Sequence, residues 1–246
     1  MCWNTEVSVA MVTAGAVGSA ITYHRGDPPA IWLTFGFFAF MEALQVWGIG
    51  VQNQCGTSSN QLVTMLSYLH ISIQPFFINA FAMELVPPAV KARARYWAYG
   101  ACAVSTTVML AQLVPDTALG TCLPGSPLCG DKWCTVSGDW HIAWDVPYNG
   151  LFVGFENMVG IHSGFPSYMI AAFIVPLIYG AWRFAAVNFI AGPVLAAYLT
   201  TNPNEMPAIW CLFSITILFI GLSPAVKKSV TANDWWGRAV IKHVSR

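Results

Sequence analysis

Few side chains in this sequence can do chemistry, and several of them stand inside long apolar stretches. Glu42 and His70 each lie near the middle of one. An ionisable group in such a place is costly and invites a functional reading. Gln74 follows His70 by four residues, one turn along the same helix face. Pro75 comes next, and a proline there loosens the helix and frees a carbonyl that a cavity or water must satisfy. Glu42 and His70 could take part in catalysis, or Glu42, His70 and Gln74 could line a path for a proton or small solute. The plainer alternative is a buried Glu42–His70 hydrogen bond that joins two helices.

A second set comprises His141, Asp145, Glu156, His162 and Glu205. His141 and Asp145 are four apart, which places them on one face of a helix or of a strand. Two imidazoles and two carboxylates at one level could ligate a divalent metal such as zinc and leave a position for water. In that reading His141, Asp145 and His162 are ligands, Glu205 or Glu42 is the base, and Gln74 and Glu156 line the cavity. No His-Glu-x-x-His is present, and the same residues also read as loop charges facing solvent. Cys55, Cys122, Cys129 and Cys134 fall in connecting segments. Six and four residues separate the last three, with no Cys-x-x-Cys, so disulfides are favoured over zinc. Four such cysteines allow three pairings, and spacing does not choose among them. Cys102 reads as core packing.

The elements that must position these groups are membrane helices. Of 246 residues, 56% are hydrophobic and 9% charged, with a mean hydropathy of +0.57. A soluble domain carries about 25% charged residues, and this chain could not cover a soluble surface with so few. Spans of about 20 apolar residues fall at 7–23, 30–51, 61–85, 96–114, 166–182, 184–199 and 207–226. Turn residues mark the connections, as in Gly26-Asp27-Pro28-Pro29 and Thr201-Asn202-Pro203-Asn204. Only Arg183 interrupts the fifth and sixth spans. One helix over both would be roughly 51 Å long, too long for a single crossing, so a hairpin is expected near Gly180–Arg183. The first stretch is expected to be retained as an anchor, because Met1–Val7 lacks a basic segment.

Charge placement gives an independent test. With seven spans and the N-terminus outside, the cytoplasmic segments hold ten Lys and Arg residues, and the outside holds only Lys132. That is a positive-inside pattern. The expected fold is therefore an all-α transmembrane seven-helix bundle forming one domain over 1–246, with the C-terminus in the cytoplasm. The outer loop 115–161 contains two apolar or alternating runs, Trp140–Val146 and Leu151–Phe155, around Asn149-Gly150. They predict a β-hairpin lid. Residues 231–244 mix aromatic and basic side chains and suit an interfacial helix.

Glu42 would lie roughly 18 Å above the cytoplasmic start of the second span, and His70 roughly 14 Å below the outer start of the third. Those depths nearly coincide, so the pair is expected to meet in one outward-opening polar cavity. A retinal site is disfavoured, because Lys227 and Lys228 come only at the end of the last span. Zero net charge gives no general attraction to nucleic acid.

Three stretches carry a resemblance: MCWNTEVS at 1–8, HISIQPFFIN at 70–79 and NPNEMPAIWCLFSI at 202–215. Together they resemble a family of small multi-pass membrane proteins of unknown function, which implies the architecture and no reaction. The leading functional reading is a cell-membrane enzyme with an outward-facing polar site, using metal-bound water on a lipid-like or apolar substrate. The alternatives are a proton or small-solute transporter or channel, and an accessory subunit in contact with other membrane subunits.

Overall fold

Helices form where the apolar stretches lie. The computed structural model describes residues 5–212 and 215–232. Helix α1 spans Thr5–His24, α2 Pro29–Val51, α3 Ser58–Ala82 and α4 Pro88–Ala111. Proline stands at the first turn of α2 and of α4, where its missing N–H has no partner to lose. Thr57 caps α3, its side chain accepting the Asn60 N–H. A short helix α5 covers Val153–Val159 and ends on Gly160 in the left-handed conformation. Then come α6 (Pro166–Ile178), α7 (Trp182–Leu199), α8 (Met206–Leu212), α9 (Ile215–Leu222) and α10 (Pro224–Val230).

Helix thus occupies all seven stretches expected to be spans. By length and composition α1, α2 and α7 could cross a membrane, and α8–α10 would make a fourth if the bent segment counts as one span. Helices α3 and α4 have 25 and 24 residues, roughly 37 and 36 Å, but are more polar. The chain turns between α6 and α7 at Gly180, as expected. The expected interfacial helix at 231–244 falls almost wholly outside the described residues.

Helices α6 and α7 are not uniform. Each contains a widened π turn, at Ile170–Ile174 and Ile190–Val194. Pro176 follows the first by two residues and Pro193 lies within the second. A proline supplies no N–H and crowds the carbonyl four residues back; a widened turn accommodates both effects.

The segment 115–161 does contain an antiparallel hairpin, but not the expected one. Strand β1 is Cys134–Ser137 and β2 is Ile142–Asp145, paired from Cys134 with Asp145 to Ser137 with Ile142. The turn is 138–141, not Asn149-Gly150. Asn149 instead closes the end of α4: its side-chain amide donates to the carbonyls of Ala111 and Val114, and its N–H donates to that of Gln112. Residues after Gly150 turn into α5, so Leu151–Phe155 never pairs as a strand.

Candidate functional site

Three attachments hold the hairpin against the helices as a cap. The first is covalent: Cys55, in the α2–α3 loop, is bonded to Cys134 of β1, while Cys122 is bonded to Cys129 within the cap. Around the first bond, Asn60 donates to the carbonyls of Val51 and Thr135 and accepts the Thr135 N–H. Asn53, at φ 65°, accepts the Ser137 N–H. The second attachment is the Asn149 contact with α4.

The third is Glu205, at the turn between α7 and α8. Its carboxylate is fully buried and accepts the N–H groups of Asp139, Trp140 and His141, together with the Thr200 hydroxyl at 2.6 Å. A methyl group on Gly138 would lie 2.5 Å from the Glu205 carboxyl carbon, so glycine is what lets the turn wrap the carboxylate. Glu205 is therefore a clamp with its acceptor sites occupied, and not the base that the sequence suggested.

Two of the three expected metal ligands, His141 and Asp145, are engaged elsewhere. His141 is fully buried, with Nε2 2.5 Å from the Gln45 side-chain oxygen of α2. Burial pushes its pKa down to about 4, so the ring is neutral near pH 7. Asp145 accepts from Asn204 at 2.7 Å; burial raises its pKa, and that hydrogen bond opposes the rise. His162 is exposed. Glu156 is buried and accepts from Ser163 and the Gly164 N–H, bracing the approach to α6. The expected metal set is not assembled, and no three His, Cys, Asp or Glu side chains gather as one among the described residues.

Glu42 and His70 do not meet either. His70 Nε2 donates to the Phe37 carbonyl at 2.8 Å, and the ring stacks on Phe37. Five residues of helix separate Phe37 from Glu42, a rotation of roughly 140°, so they lie on different sides of α2. Glu42 faces a void of about 20 Å³, bordered by Met11 and Gly15 of α1 and by Leu218 of α9. Neither carboxyl oxygen of Glu42 has a hydrogen-bond partner among the described residues.

A larger cavity of about 140 Å³ lies beneath the cap. Its walls come from α3, α4, α6, α7 and α8, and its roof from Pro127 and Leu128 of the cap. Met169, Pro193 and Met206 are only partly buried and lie on its border. The surface is apolar apart from a few groups. Gln74 Oε1 accepts the Tyr168 hydroxyl at 2.6 Å, and the Cys211 thiol stands beside Gln74. One π turn borders this space through Pro193, and Met169, which immediately precedes the other, also lines it. Gly192 allows Trp210 to pack closely, since a methyl group there would be 2.4 Å from the indole nitrogen. Of the candidate site residues expected from the sequence, only Gln74 lines this cavity. Tyr168, Trp210 and Cys211 were missed, because an aromatic or a cysteine inside an apolar span looks like ordinary packing.

Neither a curated protein nor a solved structure matches the chain. A family model does match, over residues 6–231, nearly the whole length. The chain belongs to the family of unknown function DUF5765.

Proposed function

We propose that this is a seven-span membrane protein, N-terminus outside, that binds a lipid-like apolar molecule in the cavity beneath its cap. The observation that carries the reading is the cavity itself: about 140 Å³, almost wholly apolar, with a compact polar floor and a border between helices at Met169, Pro193 and Met206. Ligand sites are typically concave, mostly apolar and supplied with a few placed polar groups. A π turn at its edge and a second that begins just after Met169 add support, because such distortions concentrate at functional sites. The seven-span topology is supported by helix in all seven stretches and by the distribution of Lys and Arg. Both disulfides lie on the face assigned to the outside, the compartment in which such bonds persist.

Solvent extraction of the detergent-purified protein, followed by mass spectrometry, tests the binding reading. A stoichiometric apolar molecule is expected from the native protein, and much less from Met206→Trp, which fills the border of the cavity. Equal recovery from both, or none from native protein offered an excess of membrane lipid, overturns it.

A further inference from the structure

We infer that the cavity selects an uncharged, single-headed lipid, with a hydroxyl head seated on Gln74 and Tyr168. This rests on the binding reading above and names the ligand's class. The space is far larger than the 10–15 Å³ or so that one water requires, so it suits part of an alkyl chain. None of the described lining residues carries a charge. An anionic head would meet no cation there, and an ammonium no carboxylate on the lining. Burying either unpaired costs far more than burying a hydroxyl that finds its hydrogen bonds.

The floor has a definite hydrogen-bonding sense. Tyr168 spends its only proton on Gln74 Oε1. What remains for a ligand is the phenolic oxygen as acceptor and, as donor, the Gln74 amide N–H that does not face the Cys211 sulfur. A hydroxyl group, which donates once and accepts, complements both. Tyr168 and Gln74 are each at least 97% buried, so water competes poorly for these positions. Trp210 sets its ring edge-on to Tyr168 at 5.2 Å between centroids, which holds the phenol in place.

The test is equilibrium binding of four radiolabelled probes of equal chain length to the full chain in detergent: hexadecanol, hexadecanoate, hexadecyltrimethylammonium and hexadecane. Hexadecanol is expected to bind at one per chain, with the two ions at least tenfold weaker and hexadecane about tenfold weaker, the loss expected for one or two hydrogen bonds. Gln74→Leu should weaken hexadecanol about tenfold and leave hexadecane unchanged. Gln74→Glu should turn the preference toward the ammonium. Native-like elution and an intact Cys55–Cys134 bond establish that each variant is folded. Either ion binding as tightly as the alcohol, or a folded Gln74→Leu with unaltered alcohol affinity, overturns the inference. Hexadecane binding as well as hexadecanol removes the head preference but keeps the apolar site. Failure of all four probes removes the binding reading itself.

Discussion

Glu205 shows how much one side chain can organise. A carboxylate that accepts three backbone N–H groups and a hydroxyl is satisfied while fully buried. Glu205→Gln would turn one acceptor into a donor facing backbone donors, which is expected to destabilise the fold by about 3 kcal/mol. Thermal unfolding and limited proteolysis of residues 115–161 would measure this, and an unchanged melting temperature would refute the clamp. His141 makes the second prediction at this scale. Its folded pKa, about 4, is below the unfolded value of 6.5. Acid therefore charges the unfolded chain first, so stability is full above about pH 6.5 and declines as the pH falls toward 4. The loss is about 2 kcal/mol between pH 7 and pH 5. Asp145, with its pKa raised, acts with the opposite sign and gains stability as pH falls through its folded pKa. His141→Gln should flatten the decline, as followed by melting at the two pH values. The sequence singles out both residues because polar groups are scarce here, but it reads them as a base and a metal ligand. Their roles were hidden, since Gln45 and Gly138 lie 96 and 67 positions away from the groups they serve, His141 and Glu205.

At the scale of elements, the apolar runs located the helices because a stretch of 17–25 apolar residues has few other uses. The hairpin was misplaced for a specific reason. Asn-Gly favours a tight turn locally, but Asn149 finds three carbonyl partners at the end of α4, two through its side chain and one through its backbone N–H. The turn at 138–141 carries a weaker local signal, and Glu205 specifies it from a distant element. The π turns are half legible: Pro176 and Pro193 signal a disturbance, and only packing determines its form. The disulfides belong at this scale too. Cys55–Cys134 closes a separation of 79 residues and Cys122–Cys129 one of 7. Loop-closure entropy assigns them about 4.5 and 2.4 kcal/mol. The double variant Cys55→Ala with Cys134→Ala should therefore lower the melting temperature more than Cys122→Ala with Cys129→Ala. A reversed order would show that the cap's internal loop, and not its tether to the α2–α3 connection, limits stability.

For the whole molecule the decisive matter is which end faces which compartment. One end of the bundle collects cations: Arg25 donates to the Gly221 carbonyl, Lys91 pairs with Glu84, and Arg183 reaches the carbonyls of Ser229 and Thr231. The other end carries both disulfides and the cap. Positive charge is retained in the cytoplasm and disulfides persist outside, so two unrelated rules give the same orientation. Single cysteines introduced into intact cells at Ser58 and Asn204 should react with an impermeant maleimide, whereas those at the exposed Ala92 and Ser229 should react only after lysis. This uses a background in which Cys2, Cys102 and Cys211 are replaced by Ala and the four bonded cysteines are kept, because unpaired cap thiols would themselves react. Labelling at Ala92 from outside would invert the molecule and place the cap in a reducing compartment. The apolar cavity would then open beneath the inner leaflet instead of the outer one. The orientation thus determines which leaflet supplies the ligand, and the labelling pattern at these four positions decides it.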